Sequence, residues 1–236
     1  MPIRVVEEGP PKRSTVPHLE GDWTMGDPEL GAIERECERQ LAENPNSPLA
    51  NYPFLEVGIY LGRTTVLLAQ IGRTVAVDWF GGNADQTTPD RRDSKTDRTA
   101  TGWDPKRQFG YLIDNLRSIP GVYANTTLIV ADSGEVMRDL LPAQQFLVVL
   151  LDADKSTRAL ERDIPLAWEL VAPGGTLFMD DMLARTVDEP EQGTTIRAWE
   201  KFVADAGLPP EMATVDTIGV ERDGTTPKLG RVRKPR

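Results

Sequence analysis

Five apolar runs in this chain each stop at a carboxylate. They are FLE (54–56), TVAVD (74–78), LIVAD (128–132), FLVVLLD (146–152) and TLFMDD (176–181). Stretches with helical periodicity separate them: RTTVLLAQIG, PKRQFGYLIDNLRSI with SGEVMRDLL further on, and STRALERDIPLAWELVA. Another helical pattern, DPELGAIERECERQLAENP, precedes the first run, with Asp27 and Pro28 suited to N-cap and first-turn positions. TTIRAWEKFVADAG follows the last run and stops at Gly207, and one or two further strands are expected from Met212 onward. Short unbroken apolar runs alternating with helices specify an α/β fold, a doubly wound, mostly parallel sheet with helices on both faces. In such sheets ligands bind beyond the carboxyl ends of the strands. Glu56, Asp78, Asp132, Asp152 and Asp180 all fall at that edge.

The rest of the chain narrows the chemistry. A formal net charge of -10 argues against a nucleic-acid partner. The basic tail KLGRVRKPR reads as a solvated terminus or a last edge strand. One cysteine, Cys37, and one histidine, His18, exclude an internal disulfide and a Cys/His zinc site, and argue against a Ser-His-Asp triad. A metal here must be held by oxygen, which points to a hard cation. No apolar run is long enough to span a membrane, and no signal core opens the chain, so a cytoplasmic location is expected. Residues 1–25 read as an extended, Pro-rich lead-in to a single domain covering 1–236. Residues 81–105 form a polar insert of the length seen in lids or disordered loops.

The turn after the first run, EVGIYLGRTT, places Glu56, Gly58, Tyr60, Gly62 and Thr64 between a strand and a helix. It lacks the GxGxxG spacing of a dinucleotide site and puts a carboxylate ahead of the first glycine. A carboxylate there suits an ammonium-bearing ligand better than a diphosphate. Asp78 ends the next strand, where acidic residues accept ribose hydroxyls. Asp132 and Ser133 end the third, and fit either a helix N-cap or a contact to an adenine edge. Trp79, Phe80, Trp103 and Tyr111 bracket the insert, and serve either to close over a substrate or to pack the insert onto the body.

Taken together, these residues resemble the class I S-adenosylmethionine-dependent methyltransferases. That resemblance implies a Rossmann-like methyltransferase sheet of about seven strands, the last antiparallel. It implies a donor site in which Glu56 and Gly58 lie near the methionine moiety, Asp78 holds the ribose, and Asp132 and Ser133 flank the adenine. Tyr60, Gly62, Thr64, Trp79 and Asp152 belong to the same expected site.

A second constellation lies at the ends of the last two runs. If these strands are neighbours, Asp152 and the Asp180-Asp181 pair sit about 5 Å apart at the backbone. Carboxylates so close repel one another, and a divalent cation removes that cost. Lys155, just beyond Asp152, is a candidate general base with its pKa depressed by its surroundings. The pattern LLDADKS followed by VAPGGTLFMDD resembles the metal-dependent catechol and caffeoyl-CoA type O-methyltransferases, and is similar to the magnesium-dependent sugar O-methyltransferases. This implies Asp152, Asp180 and Asp181 as ligands of magnesium, with manganese or calcium as alternatives, and Lys155 as the base. Asp154 is an alternative ligand to Asp152. The substrate implied is the hydroxyl of a small phenolic or sugar acceptor, and family analogy allows a homodimer. Two other readings compete. DADKS with a later Asp pair resembles the D-x-D motif of haloacid-dehalogenase-type phosphohydrolases, though that motif belongs after a first strand. A non-catalytic S-adenosylmethionine-binding protein is the other.

Overall fold

The structure is a computed structural model, and it describes residues 4–6, 27–46, 51, 53–80, 105–182, 194–209, 216–220 and 227–236. Most of the lead-in and of the insert, Trp103 included, lies outside these residues.

The strands are β1 (Arg4–Val6), β2 (Phe54–Val57), β3 (Thr74–Asp78), β4 (Thr126–Val130), β5 (Phe146–Leu151), β6 (Val171–Met179), β7 (Asp216–Val220) and β8 (Pro227–Arg233). Six of them form the body of one sheet in the order β4-β3-β2-β5-β6-β8, and β7 and β1 extend it past β8. All neighbours are parallel except β8, which runs antiparallel to β6 and β7. The strand order reverses at β2, which pairs with β3 on one side and β5 on the other. That is the topological switch point where an open α/β sheet binds its ligand.

The fold class is as expected, with three corrections. The sheet has eight strands among the described residues rather than about seven, because Arg4–Val6, inside the expected lead-in, pairs with β7. The basic tail is not an edge strand, and only its last residues, Pro235 and Arg236, are a solvated end. β8 is an inner strand inserted between β6 and β7, and Lys234 Nζ donates to the carbonyls of Trp168 and Val171 at 2.8 and 2.9 Å. Finally, the helix before β6 ends at Leu170 rather than running through Ala172. The segment from Val171 to Gly175 has already joined the sheet, with the register to β5 shifting between Phe146 and Val148.

The helices are α1 (Asp27–Glu43), α2 (Arg63–Ile71), α3 (Pro105–Ser118), α4 (Val122–Asn125), α5 (Ser133–Glu135), α6 (Thr157–Leu170) and α7 (Thr194–Asp205). A π-helical turn, Val136–Leu140, continues α5. Strand alternation sorts the core into two faces. Leu55, Val57, Val149, Leu151, Leu177 and Met179 pack with Leu160, Ile164 and Ala167 of α6 and Trp199 and Phe202 of α7. Phe54, Val148, Leu150 and Phe178 point the other way, onto Ile33 and Cys37 of α1 and Leu67 and Leu68 of α2.

One buried carboxylate fastens α1 to the sheet. Glu36 accepts from Arg39 at 2.5 Å, from Arg233 of β8 at 2.8 Å and from the hydroxyl of Thr176 of β6. Burial alone pushes this carboxyl up, but the bonds from Arg39, Thr176 and Arg233 outweigh it and bring its pKa from 4.5 down to about 2.

Candidate active site

The carboxyl ends of β2, β3, β5 and β6 finish in one ladder. Beyond the last strand pairs, Gly58 N–H donates to Val77 O at 2.9 Å, Asp152 N–H to Val57 O at 2.7 Å and Asp180 N–H to Leu151 O at 3.1 Å. Gly58, Asp152 and Asp180 therefore occupy one rung on adjacent strands, so the expectation that the last two carboxylate-ended strands are neighbours holds. One oxygen from each of Asp152, Asp180 and Asp181 lies within 4.8 Å of the others. Asp180 is buried, while Asp152 and Asp181 are half-buried. Asp154 is engaged locally instead. Its carboxylate accepts from Ser156 N–H at 2.9 Å and from the Ser156 hydroxyl at 3.2 Å. Ser156 in turn caps α6. The carboxylate in the cluster is thus that of Asp152.

Lys155 Nζ donates to Asp152 Oδ1 at 2.8 Å, with its side chain 23% exposed. The expected depression of its pKa is not what the geometry gives. Burial does push the ammonium down, but the charges of Asp152, Asp181 and Asp180 outweigh that and raise it above its ordinary value. Three carboxylates against one ammonium leave two negative charges, which a divalent cation matches. All donors in the cluster are oxygen, so the residues present fit a hard cation.

The turn after β2 is built on Asp78. Its Oδ2 accepts from Ile59 N–H at 2.8 Å and Tyr60 N–H at 3.3 Å, and its Oδ1 from Phe80 N–H at 2.7 Å. These bonds use about three of the four acceptor positions of a carboxylate. Asp78 shapes the turn, and about one acceptor position remains. Gly58 has φ +92°, and a Cβ there would lie 2.5 Å from the carbonyl carbon of Asp152 and clash with its oxygen. The backbone just beyond β5 by itself already requires glycine here. Gly62, φ +81°, precedes α2, and Thr64 is buried in its first turn. Tyr60, Phe80 and Asp181 have left-handed φ of 52°, 54° and 57°, a conformation that costs a side-chain-bearing residue about 1 kcal/mol or more and gathers at functional sites. Trp79 is 54% exposed beside Asp78, and Phe80 packs edge-on against Phe109 of α3.

Glu56 is buried on the α2 side of β2 and accepts a hydrogen bond from the Thr65 hydroxyl. Burial, reinforced by the charges of Asp152 and Asp78, raises its pKa well above the ordinary carboxylate range despite the Thr65 bond.

Asp132 caps α5, accepting from Glu135 N–H at 3.1 Å. Arg162 of α6 donates to both it and Ser133, and Asp163 of α6 accepts from the Ser133 hydroxyl. Neither α6 residue was singled out from the sequence, although one signal was there. Asp163 sits on the buried stripe of α6 with Leu160, Ile164 and Ala167, where an acid must have partners.

A family described as a methyltransferase domain matches residues 55–182, more than half of the chain and all of the rung just described. Curated protein sequences give no significant match. Among solved structures, cofactor-bound Rv0187 from MTB is 17% identical with a TM-score of 0.57, over 91% of this chain and 84% of that one. The O-methyltransferase TomG from Streptomyces achromogenes, involved in tomaymycin synthesis and solved with S-adenosylmethionine, is 16% identical with a TM-score of 0.52, over 91% and 83%. The O-methyltransferase NovP is 15% identical with a TM-score of 0.58, over 88% and 79%. These likenesses concern the fold. The D-x-D phosphohydrolase reading falls with them, since DAD follows the fourth strand of the body and the β2 turn belongs to the matched family. The chain belongs to the methyltransferase-domain family and is an S-adenosylmethionine-dependent methyltransferase, as its strand-end residues had implied.

Proposed function

We propose that the protein transfers the methyl group of S-adenosylmethionine to a hydroxyl of a small phenolic or sugar acceptor, with a divalent cation held by Asp152, Asp180 and Asp181. The observation that carries this reading is the convergence of those three carboxylates within 4.8 Å, two of them on the same rung as Gly58. TomG and NovP, which share the fold, are O-methyltransferases by name.

In this reading Glu56 faces the ammonium end of the donor, Asp78 offers its remaining acceptor position to the ribose, and Asp132 and Ser133 meet the adenine. Tyr60, Gly62, Thr64 and Trp79 wall the donor site. A bound divalent cation supplies Lewis acidity that favours the ionised acceptor hydroxyl. S-adenosylmethionine, when bound, would supply an electrophilic methyl carbon whose carbon–sulfur electron pair stays on sulfur as a neutral thioether once the acceptor oxygen takes the methyl. Alignment of the two sites on one rigid ladder supplies proximity. The charges of Asp152, Asp181 and Asp180 hold the proton on Lys155 Nζ. A bound cation would weaken that hold, and Lys155, once its own proton has passed to solvent, is the group assigned to receive the hydroxyl proton.

Methyl transfer from labelled S-adenosylmethionine to catechol and to a panel of sugar hydroxyls, with EDTA and then with added magnesium, tests the proposal. Product that disappears with EDTA and returns with magnesium supports it. Turnover unaffected by EDTA in both wild type and Asp180→Ala refutes the cation's part. Donor binding without transfer to any of these hydroxyls contradicts the proposed acceptor class.

A further inference from the structure

The turn after β4 is held far more firmly than a three-residue helix requires. Asp132 alone caps α5. Yet Arg162 Nη1 also donates to Asp132 Oδ1 at 3.2 Å, and Arg162 Nη2 to Ser133 Oγ at 3.2 Å. The same guanidinium grips Asp163 through Nε at 2.5 Å and Nη2 at 3.2 Å. Ser133 Oγ closes the ring by donating to Asp163 Oδ2 at 2.8 Å. Asp163 is 1% exposed, so its carboxylate has a fixed place. Arg162 lies so close over Gly134 that a Cβ there would stand 2.5 Å from Cζ. The turn also joins the donor site directly, since Ala131 N–H donates to Asp78 O at 3.2 Å.

The chemistry of this ring fixes the direction of each bond. A carboxylate only accepts and a guanidinium only donates. Ser133 must therefore give its single proton to Asp163 and use one lone pair for Arg162. One lone pair of Oγ is left, and it can only accept. Asp132 likewise offers acceptors alone. A base meeting this turn must bring donors.

We propose that Arg162 and Asp163 are positioning residues that set Ser133 and Asp132 as acceptors toward the donor's base, so that the turn selects a purine with a 6-amino group over one with a 6-oxo group. This rests on the reading that Asp132 and Ser133 face the adenine. Arg162 cannot be replaced by lysine without loss, because one ammonium does not span three acceptors in a plane. Asp163→Asn has a sharper consequence. The asparagine amide can donate to Ser133, whose proton is then free for a 6-oxo group.

The test is calorimetric binding of S-adenosylhomocysteine and S-inosylhomocysteine to the full chain. Variants are Ser133→Ala, Asp132→Ala, Arg162→Ala, Arg162→Lys and Asp163→Asn. Wild type is expected to favour the adenosyl compound by about a hundredfold, the upper end of what one unsatisfied hydrogen-bonding group costs. Arg162→Ala and Asp163→Asn are expected to reduce that preference to about threefold or less, with Arg162→Lys between. The ratio is the informative quantity, since general loosening weakens both compounds alike. Should Arg162→Ala not fold, the near-isosteric Asp163→Asn carries the test. If Ser133→Ala or Asp132→Ala erases the preference while Arg162→Ala and Asp163→Asn keep it, the positioning role is wrong and the adenine reading stands. If wild type shows no preference, or Ser133→Ala and Asp132→Ala leave adenosyl affinity unchanged, the adenine reading itself fails and the inference with it.

Discussion

Gly58, in the donor turn, rests directly on the backbone carbonyl of Asp152, the first carboxylate of the acidic cluster. The two sites thus share a wall one peptide thick. Gly58→Ala would force that wall apart and place an alanine at φ +92°. We expect it to lower stability by about 3 kcal/mol or more, measured by urea unfolding, and to weaken donor and cation binding together. Loss of donor binding with cation affinity intact would show that the wall is not shared.

Asp181 enters the cluster from a left-handed backbone at φ +57°. Asparagine tolerates that conformation and keeps a carbonyl oxygen, glycine tolerates it without any ligand atom, and alanine does neither. Melting temperature is expected to rank Gly and Asn above Ala. Turnover is expected to fall by about a hundredfold in both Gly and Ala, and by much less in Asn. A glycine variant that keeps full turnover would remove Asp181 from the site.

Glu56 is a buried acid whose pKa lies well above the ordinary range, chiefly through burial. Its folded form holds a proton more tightly than the unfolded chain does. Stability from this group is therefore complete below the unfolded pKa and declines as pH rises through the folded one. Glu56→Gln removes that decline and can still accept from Thr65. We expect the variant without donor to melt a few degrees higher at neutral pH and to bind S-adenosylmethionine more weakly. A variant that melts lower and binds normally would contradict a role in holding the donor's ammonium.

Glu36 has the opposite sign. Its pKa falls from 4.5 to about 2 on folding, so its contribution is complete above pH 4.5 and disappears as pH drops toward 2. The size is about 3 kcal/mol. Glu36→Gln should destabilise the protein by roughly that amount at pH 7, and the gap to wild type should close between pH 4.5 and 2. Urea unfolding across that range checks it. A gap constant with pH would mean that the Arg39–Glu36–Arg233 bridge is not what fastens α1.

The parts of this protein that sequence revealed are those set by local pattern. Runs such as FLVVLLD and TLFMDD can only be strands buried on both faces, and their carboxylate ends mark the ligand edge whatever their order in the sheet. What remained hidden depends on contacts remote in sequence. β8 reads as an edge because nothing in KLGRVR reports that β6 flanks it on one side and β7 on the other. The steric demand for glycine at 58 is hidden because the carbonyl that sets it belongs to Asp152, far along the chain. Lys155 reads as a depressed lysine because a pocket lowers an ammonium, while three carboxylates converging from two strands raise it. The Arg162 ring joins residues thirty positions apart, and only the misplaced acid on the apolar stripe of α6 hinted at it.

The claim on which the catalytic reading depends is that Asp152, Asp180 and Asp181 together hold a divalent cation. Electron paramagnetic resonance of the purified protein titrated with Mn²⁺, for wild type and Asp180→Ala, measures this without reference to any acceptor. The expected result is one tightly bound manganese per wild-type chain, displaced by magnesium and lost in Asp180→Ala. Wild type that binds no stoichiometric manganese, or Asp180→Ala that binds it as well as wild type, would contradict it.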